Sequence, residues 1–182
     1  YCLMWIGSLA LAGVPFFAGY YSKDLILEAA WASNSFSGQF SFWLGSIAAF
    51  LTAFYSWRLI FLTFHGTSKS PPEVFSNIKE SPYIMLIPLF VLAFGAIISG
   101  WAFHESFVGH HWQDFWGHSI FISEQNNALE LTHYVPSWVK ILPIMLAFSG
   151  IFFAYIFYII YPSLPSFTSN LFYPIYKLFY NK

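Results

Sequence analysis

The chain has 182 residues, of which 58% are hydrophobic, 24% aromatic and only 8% charged. Four apolar stretches of about 20 residues with at most one charge each, long enough to span a bilayer, exclude an ordinary soluble domain. Seven basic residues against eight acidic ones, for a net charge of −1, leave no basic stripe for phosphates and so exclude nucleic-acid binding.

The first apolar stretch starts at Cys2 and is interrupted by Gly13-Val14-Pro15, then continues through Lys23-Asp24 and Glu28 to Trp31. A straight crossing needs about 20 residues, so a segment spanning 1–32 is expected to be a broken helix. Pro15 removes a backbone donor, and Gly13 and Gly19 loosen the chain around it. Because Tyr1 already lies in an apolar segment, the chain is expected to be a fragment of a longer subunit, or a truncated remnant.

After a polar turn, a second transmembrane helix is predicted over 42–64 with one charge, Arg58. A loop over 65–82 carries His65-Gly66, Lys69, Pro71-Pro72 and Lys79. A third helix is predicted over 83–103, a long loop over 104–136, and a fourth helix over 137–161 ended by Pro162 and Pro165. The aromatic-rich segment 162–182 reads as an interfacial segment on the membrane surface. The predicted fold class is therefore an all-α membrane protein of about four transmembrane helices, the first discontinuous.

Loop charge gives an orientation. Lys69, Lys79, Lys177 and Lys182 fall on one side, and Glu105, Asp114, Glu124 and Glu130 on the other. The basic side is expected to be cytoplasmic, with both ends of the chain there. Trp31, Trp43, Trp101 and Trp138 then gather at the outer interface, where indole prefers to sit.

Lys23 is the informative titratable residue. A lysine deep in a spanning helix costs about 2.5–3.5 kcal/mol by insertion scales and is retained mostly where it works. The ordinary alternative makes Lys23 and Asp24 flanks that snorkel to headgroups. A backbone break in the same crossing points instead to a transporter site at mid-depth. Asp24 follows directly but faces elsewhere, since i and i+1 do not meet on a helix. The ionic partner of Lys23 is therefore expected from another helix, and a moving counter-charge there would load and unload its proton.

Arg58 lies close enough to the end of its helix to snorkel, and His65 reads as an interface residue; both are secondary candidates. His110, Asp114 and His118 recur at four-residue intervals, with His104 and His111 nearby. On a helix this would line one face with ligands, but Trp112, Phe115 and Trp116 indicate interface packing, and no metal is assigned. Phe103, Phe107, Phe115 and Phe121 read as packing or lipid contact. The single Cys2 provides no disulfide, redox pair or iron–sulfur site, so no cofactor is expected on this chain.

The run GSLALAGVPFFAGYYSKD, Gly7 to Asp24, resembles the GSLALxGxPxFxGFYSKD signature of subunit L of proton-pumping NADH:quinone oxidoreductase, with Tyr20 in place of Phe. The run AFYSWRLIFLTFHG, Ala53 to Gly66, resembles the next helix of that family. The stretches around Gly109 to Trp112 and Val135 to Lys140 look like its alphaproteobacterial versions. The resemblance implies that Lys23 sits in a discontinuous helix as the terminal proton carrier toward the outer face, with Asp24 implicated in activity. It also implies a bacterial inner membrane, other membrane subunits of the complex as partners, and NADH and quinone handled elsewhere in the complex. The alternative family is the large subunit of a multisubunit Na⁺/H⁺ antiporter, which shares the broken helix and its lysine.

Overall fold

A computed structural model describes residues 1–66, 71, 73–74, 77–109, 112–117, 119 and 131–180. Among these the protein is all-α, with no strand. Three helices are long and apolar enough to cross a membrane: α3 (Phe36–Phe64), α4 (Tyr83–Phe107) and α6 (Ser137–Tyr155, continued by a π-helical stretch Ile156–Ile160). The first crossing is split into α1 (Cys2–Ala12) and α2 (Ala18–Ala32). At 1.5 Å per residue these are about 16 and about 22 Å long, so neither covers a hydrocarbon core of about 30 Å alone.

The bundle is organised around α3. Its buried residues include Phe42, Ser46, Ala49, Ala53, Ser56 and Ile60, an alternation of four- and three-residue steps that keeps one seam facing a partner helix. The partner is α6, whose buried positions are Val139, Pro143, Ala147, Gly150 and Ala154. In lipid no hydrophobic force draws two helices together, so close packing through small residues must do so. Gly150 marks the nearest approach: a Cβ there would stand 2.5 Å from the Phe50 carbonyl oxygen and 2.9 Å from the Ala53 Cβ.

Several boundaries differ from those read in the sequence. The helix expected from Phe42 begins at Phe36, because the Ser35 hydroxyl accepts from the Gly38 N–H at 3.0 Å and caps the helix there. The Ser33 hydroxyl also donates to the Ala30 carbonyl at 2.8 Å, and the turn between α2 and α3 is only three residues, Ser33 to Ser35. Likewise α4 runs on to Phe107, and a short helix, α5 (Trp112–Trp116), packs back through the Trp116 indole N–H on the Phe107 carbonyl at 3.0 Å. Pro165 does not end a helix. It lies in the first turn of α7 (Leu164–Leu171), where a missing N–H is harmless, and α8 (Tyr173–Tyr180) follows.

α4 is the outlying element. Gly100 is its one buried residue among those described, and a Cβ there would stand 2.6 Å from the Ala18 Cα of α2. Ala93, Ala96 and Ser99 are half-buried on the side of α1 and α2, and most of the remaining α4 residues are exposed apolar side chains of the kind that face acyl chains or other membrane helices.

Candidate functional site in the broken helix

The break spans the residues from Gly13 to Phe17. Gly13 adopts φ +76 and ψ 38, the left-handed conformation that glycine reaches at no steric cost. This lets the Gly13 N–H donate to the Ala10 carbonyl at 3.2 Å and the Val14 N–H to the Leu9 carbonyl at 3.1 Å. That paired pattern is a Schellman termination. Pro15 sits inside the connector, where it has no N–H to satisfy. Phe16 takes φ 80, a conformation that costs a bulky residue about 1–3 kcal/mol and that clusters at functional sites.

The two half-helices then meet backbone to backbone. Gly19, in the first turn of α2, leaves no room for a side chain: its Cβ would fall on the Ala10 carbonyl oxygen of α1. The close approach brings Lys23 over the end of α1. Its stem passes Gly13, where an added Cβ would be 3.3 Å from the Lys23 Cδ, and its Nζ donates to the Ala12 carbonyl at 3.4 Å. Ala12 is the last residue of α1, so its carbonyl belongs to the unsatisfied set at the negative end of the helix dipole.

Sequence reasoning expected the partner of Lys23 to be a carboxylate from another helix. Among the described residues no carboxylate lies within 4.0 Å of its nitrogen, and the partner is this main-chain carbonyl. The reason is steric. With Gly13 bare, the lysine stem folds into the break, toward a group that has no side-chain signature in the sequence.

Asp24 takes a different face. It is 7% exposed, and its Oδ2 is fully buried with no hydrogen-bond partner among the described residues. One turn on, Glu28 is half-buried and shares that face, and the Lys140 ammonium of α6 acts on it electrostatically. Glu28 and Lys140 escaped the sequence reading. The signal for Glu28 was its four-residue offset from Asp24, whereas only the packing of α2 against α6 brings in Lys140. Beyond them aromatic rings gather at the C-terminal end of α2. The Trp31 and Trp138 rings meet edge to face at 4.9 Å, and Phe42 joins Trp31 at 5.1 Å. Trp43 stacks on Trp138 at 6.3 Å, whereas Trp101 stands apart on α4, 76% exposed.

The remaining candidates lie away from the break. Arg58 is exposed near the far end of α3, with its guanidinium carbon 5.7 Å from the centre of the Tyr158 ring. His65 caps the C-terminus of α3, and its Nε2 pairs with the Tyr1 hydroxyl at 3.0 Å. Of the histidine-rich stretch, His104 and Asp114 are described, while His110, His111 and His118 lie outside the described residues, as does Phe121. Among the described residues no three His, Cys, Asp or Glu side chains come together as a metal site.

Comparison with known proteins gives the same direction. Residues 55–112 match the sequence model of the family described as NADH dehydrogenase subunit 5 C-terminus. The chain is 46% identical over 158 residues to NADH-ubiquinone oxidoreductase chain 5 of Phytophthora infestans, which covers 87% of this chain and 24% of that protein. It is 42% identical over 156 residues to the same chain of Marchantia polymorpha, covering 85% and 23%. With chain 5 of Rhizopus stolonifer the alignment takes in 100% of this chain, the break included, at 40% identity, and 28% of the relative. The chain thus spans about a quarter of the length of these curated relatives.

Proposed function

We propose, from the premise that this chain is related to the C-terminal part of NADH-ubiquinone oxidoreductase chain 5, that it forms part of a proton channel in the membrane arm of that redox-driven pump. The observation that carries the proposal is the seat of the Lys23 amine, inside a helix break and on the terminal carbonyl of α1. Trp31 lies about eight residues further on, or about 12 Å along the axis. If the tryptophan cluster marks the boundary, the amine sits close to the middle of a core of about 30 Å.

In that position Lys23 is a proton carrier whose charge is tuned by what surrounds it. The carbonyl end of α1 favours the ammonium, and burial opposes it. Asp24, on a different face of α2, does not meet the amine; its buried Oδ2, without a hydrogen-bond partner among the described residues, acts on Lys23 through its charge. No redox chemistry falls to this chain. NADH oxidation and quinone reduction belong to partner subunits, and the energy arrives as a change in the charges around Lys23.

The host is proposed to be an energy-transducing membrane. The loop sequences that look alphaproteobacterial favour a bacterial inner membrane with both ends of this chain on its cytoplasmic side; the eukaryotic sources of the three relatives favour its mitochondrial counterpart. The Na⁺/H⁺ antiporter alternative is not favoured by relatives that carry the oxidoreductase name.

Replacing Lys23 by Ala in the full-length subunit tests the reading. NADH-driven proton uptake by reconstituted vesicles is expected to fall by about a hundredfold or more, the lower end of the range for removing a positioned proton-transfer group, while assembly of the complex is retained. Normal uptake by a correctly assembled mutant would remove Lys23 from the path.

A further inference from the structure

At the opposite end of the bundle from the tryptophan cluster, α3, the π-helical end of α6 and α7 enclose a groove of about 560 Å³. Phe54 and Phe157 supply an apolar wall, and Arg58, Ser166 and Ser169 a polar one. The groove therefore has two chemistries, side by side. The switch from α-helix to π-helix over Ile156–Ile160 widens the end of α6 where the groove opens, as such turns often do at binding sites.

Among the described residues, Arg58 is the only cation lining this groove and no acidic residue lines it. Its guanidinium is held near the Tyr158 ring, and among the described residues no carboxylate lies within 4.0 Å of it. It precedes the end of α3 by about six residues, or about 9 Å, a depth from which a long side chain reaches headgroup level. Among the described residues the Ser166 hydroxyl has no partner, whereas that of Ser169 already donates to the Ser166 carbonyl at 2.9 Å. An unpaired planar cation with one free hydroxyl matches the oxygens of a phosphate. The adjoining aromatic wall matches an acyl chain, and the unneutralised positive charge selects a lipid of net negative charge over a zwitterionic one.

We propose that this groove binds one anionic phospholipid, its phosphate on Arg58 and Ser166 and an acyl chain along Phe54 and Phe157. The lipid would tie α7 to the end of the bundle. The inference rests on the membrane-spanning reading but not on proton transfer through Lys23, so its failure leaves that proposal standing.

The test uses the full-length subunit in its complex, in nanodiscs of phosphatidylglycerol and phosphatidylcholine in equal parts. Native mass spectrometry counts retained lipids, and a cryo-EM map shows what fills the groove. Phosphatidylglycerol is expected in the wild-type groove. Arg58→Gln should weaken its retention about fivefold, the equivalent of about 1 kcal/mol at 1.4 kcal/mol per factor of ten, and Arg58→Lys should keep most of it. Unchanged phosphatidylglycerol in an assembled Arg58→Gln complex, or phosphatidylcholine bound equally well, would overturn the proposal. Should Arg58→Gln fail to assemble, the wild-type map decides: a lipid phosphate beside Arg58 supports the site, and a polypeptide segment there refutes it.

Discussion

The α3–α6 seam and the α1–α2 break both depend on a glycine at the point of closest approach, yet they are built on different principles. Along the seam, Gly150 is one of a run of small residues on α6, and the contact is spread over Ala147, Ala154 and the facing Ala49 and Ala53. At the break, Gly19 rests on one carbonyl group, and the geometry it sets determines where a single amine ends up. A repetitive surface can yield slightly at many places. A junction of two half-helices has one arrangement, and its product is a position rather than an area.

The same substitution in both places should separate these roles. Gly19→Ala puts a methyl group on the Ala10 carbonyl, forces α2 away from α1, and is expected to cost about 1–3 kcal/mol in stability. Proton pumping should suffer more than stability does, because a displacement of about 1 Å between proton-transfer groups can cost about 100-fold. Gly150→Ala meets the Phe50 carbonyl and should cost a similar amount in stability, read from thermal unfolding of the purified complex. The complexes that assemble should pump normally. Equal losses of pumping per assembled complex would mean that the two glycines do the same work.

Smaller effects sharpen the contrast. Gly13→Ala imposes a left-handed φ on a residue with a Cβ, at about 1–2 kcal/mol, and crowds the Lys23 stem. Its pumping rate should fall between those of Gly19→Ala and the wild type. Ser35→Ala removes the cap of α3, far from the break, and should lower thermal stability by about 1 kcal/mol with no effect on turnover.

The residue types at the break were legible because each breaks a rule of its setting: a proline and two glycines in a crossing, then a lysine and an aspartate where lipid should be. What they would touch was not. The partner of Lys23 is a main-chain carbonyl, and every residue has one; only the handedness of Gly13 decides that Ala12 offers it. The early start of α3 was missed for a related reason. Ser37, Gln39 and Ser41 read as loop by polarity, whereas the capping hydroxyl of Ser35 sets the boundary, and those residues are exposed in the first turns of the helix. Phe42, Ser46, Ala49 and Ala53 show the opposite case, since their spacing alone aligns them on one seam.

The most direct test is the depth of one nitrogen atom. A cryo-EM structure of the full-length subunit in a lipid nanodisc gives the distance from the Lys23 Nζ to the Ala12 carbonyl and to the nearest lipid phosphates. The amine is expected on the carbonyl, within the break and about 12 Å below the Trp31 level. An unbroken helix with that nitrogen among the headgroups would contradict the account.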